Sequence, residues 1–416
     1  MSSYIISPTS QLSGSINISG SKNSSLPILA ASLLSEGTCI IKNVPDLSDT
    51  RNMCSLLECA GAKCTPLNKN TISVTPKKCL MKIAPFETVC KLRASFLIIG
   101  PVLARYGQIK IPLPGGCQIG ARPINLHLKG FEAMGAKISQ GHGYVELKCK
   151  KLGSARIYLD FPSVGATENI MIAASLSDGE VVIENAANEP EIIDLSNFLC
   201  SMGGEIYGAG TDTITIKGKS YLHPTEYSVI PDRIEAGTFL TMAVACKSNL
   251  TLKNVIPDHL SPVIAKLNEM GVGIKKNESS IEVLPCDKFK AVDIKTLPHP
   301  GFPTDMQSQF MSLLSIADGT GVVVETVFEN RFMQVPELIR MGANIKIDGR
   351  TAVIDGTRHL SGAKVRATDL RAGAALVIAA LSAKGQSEIS DIEHIERGYE
   401  NFEQKLSEIG VKIKKI

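Results

Sequence analysis

One short phrase recurs six times along this chain, and its period constrains the fold more than any other feature. An amphipathic run ends in a small residue and a glycine, then passes into a β-branched stretch: LLECAGAKC, FEAMGAKI, FLCSMGGEI, LNEMGVGI, LIRMGANI and LSEIGVKI. The glycines are Gly61, Gly135, Gly203, Gly271, Gly342 and Gly410, at successive spacings of 74, 68, 68, 71 and 68 residues. A glycine just past the last helical turn takes the left-handed conformation that closes a helix. A period this regular signals an architecture assembled from one supersecondary unit.

Each unit also holds a second helical segment, at 22–36, 91–106, 164–177, 232–247, 304–317 and 369–384. These are rich in Ala, Leu and Ile, as in ALVIAAL, and each is followed by a short β-branched run: CIIKNV, IKIPL, VVIENA, LTLKNV, VVVETV or SEISDI. Helices apolar all round must be buried, which places the sheets outside them. The expectation is an α/β (α+β) chain of two similar domains, each made of three βαββαβ-type repeats. A length of 416 residues is too great for one ordinary core and suits two or three domains.

Composition narrows the function classes. Charged residues make up 20% of the chain and the net charge is +3, with only short basic stretches at Lys148–Lys151 and Lys412–Lys415, so nucleic-acid binding is not indicated. Eleven cysteines without a C-x-x-C pair argue against a disulfide framework or a zinc site and for a reducing compartment. Most of them, including Cys54, Cys59, Cys200 and Cys246, read as small buried hydrophobes in apolar helical patterns. No basic segment followed by an apolar core opens the chain. The longest apolar run, Ala94 to Ala104, is about half a membrane span. A cytoplasmic chain with no membrane or obligate protein partner is expected.

When the six units are overlaid, the polar residues gather at two places. The buried helices begin with SGSKNSS (19–25), KLRAS (91–95), SVGAT (163–167), PDRIEAG (231–237), FPTDMQ (302–307) and ATDLRAG (367–373). Helix starts present free N–H groups and suit anions. Capping is the commoner fate of an Asp such as Asp305 or Asp369 there, but it does not account for Lys22, Arg93 and Arg371, which a positive dipole end disfavours. In the second loop of the unit, Arg122 and Arg397 each stand 13 residues before the unit's glycine, and Arg331 stands 11 before. Together these cations point to a highly anionic ligand in a cleft between the domains. The loop Pro114-Gly-Gly-Cys-Gln-Ile-Gly-Ala-Arg-Pro123 adds one cysteine, Cys117, that does not fit a helical pattern. No Walker sequence, dinucleotide fingerprint or metal-ligand spacing accompanies it.

SGSKNSSLPILAA, KLRAS, PLPGGCQIGARPINLH, FPSVGAT, NAANEPEIIDL, PDRIEAGTF, PHPGFPTDMQ, TVFENRFMQVPEL, ATDLRAGAALV and HIERGYE, in that order, resemble the enolpyruvyl transferases, in particular the UDP-N-acetylglucosamine 1-carboxyvinyltransferase family. The resemblance runs from end to end. It implies an inside-out α/β barrel of two domains, 21–229 with the Cys117 loop and 1–20 plus 230–416, with crossovers near residues 20 and 230. It implies transfer of the enolpyruvyl group of phosphoenolpyruvate to the 3-hydroxyl of UDP-N-acetylglucosamine (UDP-GlcNAc), with release of phosphate. The route is addition then elimination through a tetrahedral intermediate, without cofactor or metal, as domain closure excludes water.

The site roles follow by resemblance. Lys22 matches the lysine on the phosphate of phosphoenolpyruvate, with Asn23 beside it touching substrate. Arg93, Arg122 and Arg397 match the arginines around phosphate, carboxylate and diphosphate. Asp305 matches the residue on the sugar hydroxyl and the expected base. Asp369 and Arg371 match residues that support the intermediate, and Arg331 is a further cation. Arg122, Pro123, Ile124, Asn125 and Leu126, then Ser163, Val164 and Gly165, then the backbone of Val327, match the UDP-sugar contacts. Cys117 matches the cysteine that protonates the methylene carbon and is alkylated by fosfomycin. Two departures stand out: Asn125 replaces an Asp often found on the uridine, and Phe161-Pro162 precedes Ser163 where some members carry a lysine. The related enolpyruvylshikimate-phosphate synthases expect G-T-A-M-R-P where Gln118-Ile-Gly-Ala-Arg-Pro123 stands, and have no counterpart of Cys117.

Overall fold

A computed structural model describes residues 2–9, 11–77, 83–113 and 124–416. The described chain divides into two compact units, one from the described residues between 20 and 230, the other from those between 2 and 19 and from Pro231–Ile416. Each has its own apolar core.

The repeat glycines do what their spacing predicts. All six have φ between +89° and +97°, and each N–H bonds the carbonyl three residues back at 2.9–3.1 Å. After Gly135, Gly203, Gly271, Gly342 and Gly410 the next N–H reaches back five residues, at 2.9–3.0 Å. This is the double bond pattern that satisfies the last carbonyls of a helix and turns the chain into a strand.

One sheet plan serves the repeats. In the first unit Glu226–Ser228 runs parallel to Cys39–Lys42, which continues antiparallel through Thr71–Pro76 to Ala62–Asn68. Gly153–Tyr158, Asp178–Glu184, Thr213–Lys217 and Glu205–Tyr207 repeat that order. Gln108–Pro112, Tyr144–Lys148 and Lys137–Gly141 form a three-stranded version. In the second unit Ser15–Asn17 opens the sheet of Leu250–Lys253, Ser280–Val283 and Ile274–Lys276. Ile294–Lys295 opens that of Thr320–Val324, Thr351–Asp355 and Asn344–Asp348. In the third, Lys364–Arg366 and Ser387–Ser390 are completed by Ser3–Ile6 and Ile413–Lys415.

The helices inside these sheets are buried on every side. Every residue from Ile234 to Ala245 and from Arg371 to Leu381 is buried, so these helices lack the polar stripe of a surface helix. The fold is therefore mixed α/β and inside-out. Its three sheets per unit are separate, and no ladder closes them into one hydrogen-bonded barrel among the described residues.

A second repeat signal lies at the strand ends. Asn43, Asn185, Asn254 and Asp391, each just after its strand, all have φ between +53° and +57°. The three asparagines donate Nδ2 to Val229, Leu159 and Ile18 carbonyls at 2.9, 2.7 and 2.7 Å. Each carbonyl belongs to a segment distant in sequence, so the bond ties that segment to the end of the strand.

The cysteines correct one expectation. Among the eight whose side chains are described, all free, only Cys39 and Cys246 are buried; Cys59 and Cys200 are exposed. They lie in the last turns of the outer helices Ser48–Cys59 and Pro190–Ser201, on the side away from the buried Leu56, Leu57, Phe198 and Leu199. No helix among the described residues is long and apolar enough to cross a membrane.

Candidate active site

The start of the Lys22–Ala31 helix holds the first group. Ser21 caps it, its hydroxyl accepting from Ser24 N at 3.2 Å, and Lys22 and Asn23 fill the first two helical positions. A lysine there opposes the helix dipole. The cost is offset by Asp49 on the neighbouring Ser48–Cys59 helix, 3.2 Å from Lys22 Nζ, both side chains nearly buried. Lys22 is thus held in place by a carboxylate at an anion-favouring helix end.

In the same unit two expected sugar-nucleotide segments meet at a residue the sequence reading passed over. Ile124 precedes the Asn125–Ala133 helix and Ser163 caps Val164–Ala174, accepting from Ala166 N at 3.4 Å. His127, in the first turn of that first helix, lies against Gly165, where a Cβ would stand 3.4 Å from its Cε1. Asn169 Nδ2 donates to His127 Nδ1 at 3.1 Å and to Phe96 O at 2.8 Å, while its Oδ1 accepts from Gly100 N at 2.8 Å. With Nδ1 accepting, the proton belongs on Nε2. Burial pulls the imidazole down to about 4, so it is neutral. Asn125 faces solvent, whereas Leu126 turns into the core at 6% exposure.

The other unit carries the densest charge. Asp305 lies in the turn Thr304–Met306 that leads into Gln307–Leu314. It is not a cap. Arg331 Nη2 meets its Oδ1 at 2.6 Å and Arg371 Nη2 its Oδ2 at 2.9 Å. The two arginine side chains are 4% and 5% exposed and the Asp305 side chain 28%, so the carboxylate is clamped yet reachable. Burial works against its charge, but Arg371 and Arg331 outweigh burial and hold the carboxyl well below the usual range. Burial likewise opposes the Arg371 charge, and Asp305 more than restores it. Asp369 does cap: its Oδ1 accepts from Arg371 N at 2.8 Å and Ala372 N at 3.1 Å, fixing the helix from which Arg371 projects.

A second carboxylate, Glu325, organises this clamp from behind. It is 1% exposed. Its Oε1 accepts from Thr296 Oγ1 at 2.8 Å, Val327 N at 2.8 Å and Phe328 N at 3.1 Å, and its Oε2 from Thr304 Oγ1 at 2.8 Å. Thr304 Oγ1 in turn accepts from Arg331 Nη1 at 2.8 Å, and the Arg331 guanidinium lies 5.0 Å from the Phe328 ring centroid. Val327 N–H is therefore engaged by Glu325. Glu325 stands in the VVVETV run and carries no motif of its own, so only coordinates expose its role. Arg397 ends the short helix Glu393–Glu396 and is partly exposed. Cys117, Arg122 and Pro123 lie outside the described residues, as does the side chain of Arg93.

Two inside-out units of three repeats, with cations at helix starts and a doubly clamped carboxylate, define the class of the enolpyruvyl transferase fold. An enolpyruvyl transferase from Streptomyces tendae, NikO, superposes with a TM-score of 0.90 at 24% identity over 100% of this chain and 98% of that one. EPSP synthase from Acinetobacter baumannii follows at 0.80 and 16%, covering both chains fully. The sequence profile of EPSP synthase (3-phosphoshikimate 1-carboxyvinyltransferase) matches residues 6–406. UDP-N-acetylglucosamine 1-carboxyvinyltransferase 1 of Caldanaerobacter subterraneus subsp. tengcongensis is 57% identical over 99% of this chain and 98% of its own. UDP-N-acetylglucosamine 1-carboxyvinyltransferase 2 of Carboxydothermus hydrogenoformans is 54% identical over the full length of both. The chain belongs to the EPSP synthase family of carboxyvinyltransferases, within the UDP-N-acetylglucosamine 1-carboxyvinyltransferase group.

Proposed function

We propose that this protein transfers the enolpyruvyl group of phosphoenolpyruvate to the 3-hydroxyl of UDP-GlcNAc and releases phosphate, the committing step toward peptidoglycan. The observation that carries the reading is its near full-length kinship with the UDP-N-acetylglucosamine 1-carboxyvinyltransferases at more than half identity. It works on two small molecules in the cytoplasm, without cofactor, nucleic acid, membrane or obligate protein partner.

The chemistry asks for one proton onto carbon and one off oxygen. In the addition, the sugar oxygen bonds C2 of phosphoenolpyruvate, its proton passes to a base, and the methylene carbon takes a proton to become methyl. In the elimination, the C2–O bond to phosphate breaks, the methyl group returns one proton to the thiolate that gave it, and the proton held by the base leaves with the phosphate. Cys117 is the acid that protonates the carbon: a thiol with a pKa of about 8.5 is protonated at neutral pH. Asp305 receives the hydroxyl hydrogen. Clamped by two arginines, it is ionised at any working pH and a weak base at rest. It takes the proton only as the forming C–O bond makes the hydroxyl acidic.

Lys22 and Asn23 hold the phosphate of phosphoenolpyruvate, with Arg122 and Arg397 on its remaining anionic oxygens. These fixed cations stabilise charge that develops during transfer without reorganising. Arg93, Pro123, Ile124, Asn125, Leu126, Ser163, Val164 and Gly165, with the Val327 backbone, take the UDP-sugar. Asn125 offers neutral hydrogen bonds, and the buried Leu126 contributes backbone more than side chain. Asp369 secures the helix start under Arg371.

A phosphate-release assay with both family acceptors tests the assignment. Phosphate is expected from phosphoenolpyruvate only when UDP-GlcNAc is present. Release with shikimate 3-phosphate in its place overturns it.

A further inference from the structure

Behind Asp305 the buried polar groups form one directed chain. Thr238, in the helix Arg233–Ala245, donates its hydroxyl hydrogen to Ile234 O at 2.8 Å. Its oxygen can then only accept from other groups. Tyr399 Oη, 2.9 Å away, therefore donates to it, and Arg371 Nη1 donates to Tyr399 Oη at 3.3 Å. Gln309 Nε2 adds a bond to Thr238 Oγ1 at 3.1 Å and another to the Asp305 backbone carbonyl at 3.0 Å. Asp305 is thus gripped at both ends by one chain, its main chain through Gln309 and its carboxylate through Arg371.

The chain has little slack. Tyr399 is 2% exposed, and Thr238 and Gln309 are fully buried. The Arg371 guanidinium also lies 5.7 Å from the Tyr399 ring centroid, over its face. A Cβ on Gly398 would stand 2.5 Å from the Leu370 methyls, so the turn carrying Tyr399 is pressed onto the first residues of Arg371's helix. Arg331 completes the charges on Asp305, and Asp232 acts on both Arg371 and Tyr399. Burial raises the Tyr399 phenol, so it stays neutral and keeps the hydrogen it donates.

We infer that Tyr399 is a positioning residue for the hydroxyl-accepting centre: by holding one fork nitrogen of Arg371 it fixes the other on Asp305, and so sets where the carboxylate oxygen stands. This rests on the role given to Asp305 above. Without Oη, one buried Arg371 N–H loses its acceptor, and the fork must shift to find another. Small displacements of a positioned group cost rate rather than ground-state binding.

Tyr399→Phe keeps the ring and removes only the oxygen. Its kcat is expected to fall about tenfold while both KM values stay within about twofold. Thr238→Val, matched in shape, is expected to slow turnover by a smaller factor. The double variant should be no slower than Tyr399→Phe alone, because both changes break one chain. An unchanged kcat in Tyr399→Phe overturns the inference, as do losses that simply multiply. Thermal unfolding of all three variants runs alongside, and a kcat loss that follows lost stability and moves KM equally also overturns it. A wild-type protein that releases no phosphate with UDP-GlcNAc ends the functional reading instead. Urea unfolding of the same four proteins then decides the chain by itself: coupled stability losses support it and additive ones overturn it.

Discussion

Replacing Asp305 with asparagine removes one negative charge from between two guanidinium groups and changes almost nothing in shape. Arg331 and Arg371 are 4% and 5% exposed and sit 2.6 and 2.9 Å from the two oxygens. Removing one partner of a buried ion pair costs about 3–5 kcal/mol. More than a quarter of the Asp305 side chain reaches water, which screens part of that and leaves about 2 kcal/mol. For a unit of this size the loss lowers Tm by about 4–8 °C. In the role proposed for Asp305 as base, turnover should fall about 10²–10⁴-fold. The pH dependence has a definite sign. A carboxyl held below its unfolded value stabilises fully above that value, about 3.9, and the stabilisation fades as pH falls through the native one. The Tm gap between wild type and Asp305→Asn should therefore be flat from about pH 8 to about pH 5 and narrow below about pH 4. Differential scanning calorimetry across that range reads both quantities. A variant as stable as wild type at neutral pH, or a gap that widens on acidification, refutes the clamp.

Other substitutions probe separate links. His127 is held neutral by burial, with its pKa near about 4; the unfolded imidazole protonates from about 6.5 downward, so native stability falls between those values. His127→Gln should lose less stability than wild type on acidification through that window, measured by urea unfolding. Gly271→Ala meets only backbone strain, since φ is +94° and nothing lies within 4 Å; it should cost about 1 kcal/mol. Gly100→Ala would drive a Cβ to 2.6 Å from Asn169 O and Oδ1 and should cost several times more while loosening His127. Lys405→Met leaves Glu235, 3% exposed and bonded by Ser19 N at 2.9 Å, without its cation. The expected cost is about 3–5 kcal/mol, and Glu235→Gln in the same chain should recover most of it.

The parts of the fold that one residue can report locally were legible. A left-handed helix stop needs glycine whatever surrounds it, so Gly61 through Gly410 revealed the repeat. An all-apolar helix such as ALVIAAL must be buried wherever it lies. The asparagines after the strands were equally visible at Asn43, Asn185 and Asn254, but their role depends on a carbonyl distant in sequence. The clamp is of that second kind. Asp305 and Arg371 are 66 residues apart, and nothing in either motif names the other. Glu325, His127 and Tyr399 act through neighbours brought together by folding, and each looks ordinary in its own stretch. Capping separated two aspartates that the sequence treated alike: Asp369 caps its helix, and Asp305, one repeat earlier, does not. Cys59 and Cys200 were misread because a helical pattern does not tell an outer helix from an inner one at its final turn.

The most direct measurement is the mass of the sugar nucleotide after incubation with the protein and phosphoenolpyruvate. UDP-GlcNAc should gain one enolpyruvyl unit for each phosphate released, and fosfomycin should stop the gain while adding one equivalent to the Cys117 peptide. Unchanged UDP-GlcNAc beside consumed phosphoenolpyruvate, or an enolpyruvyl unit found on shikimate 3-phosphate, would contradict the account.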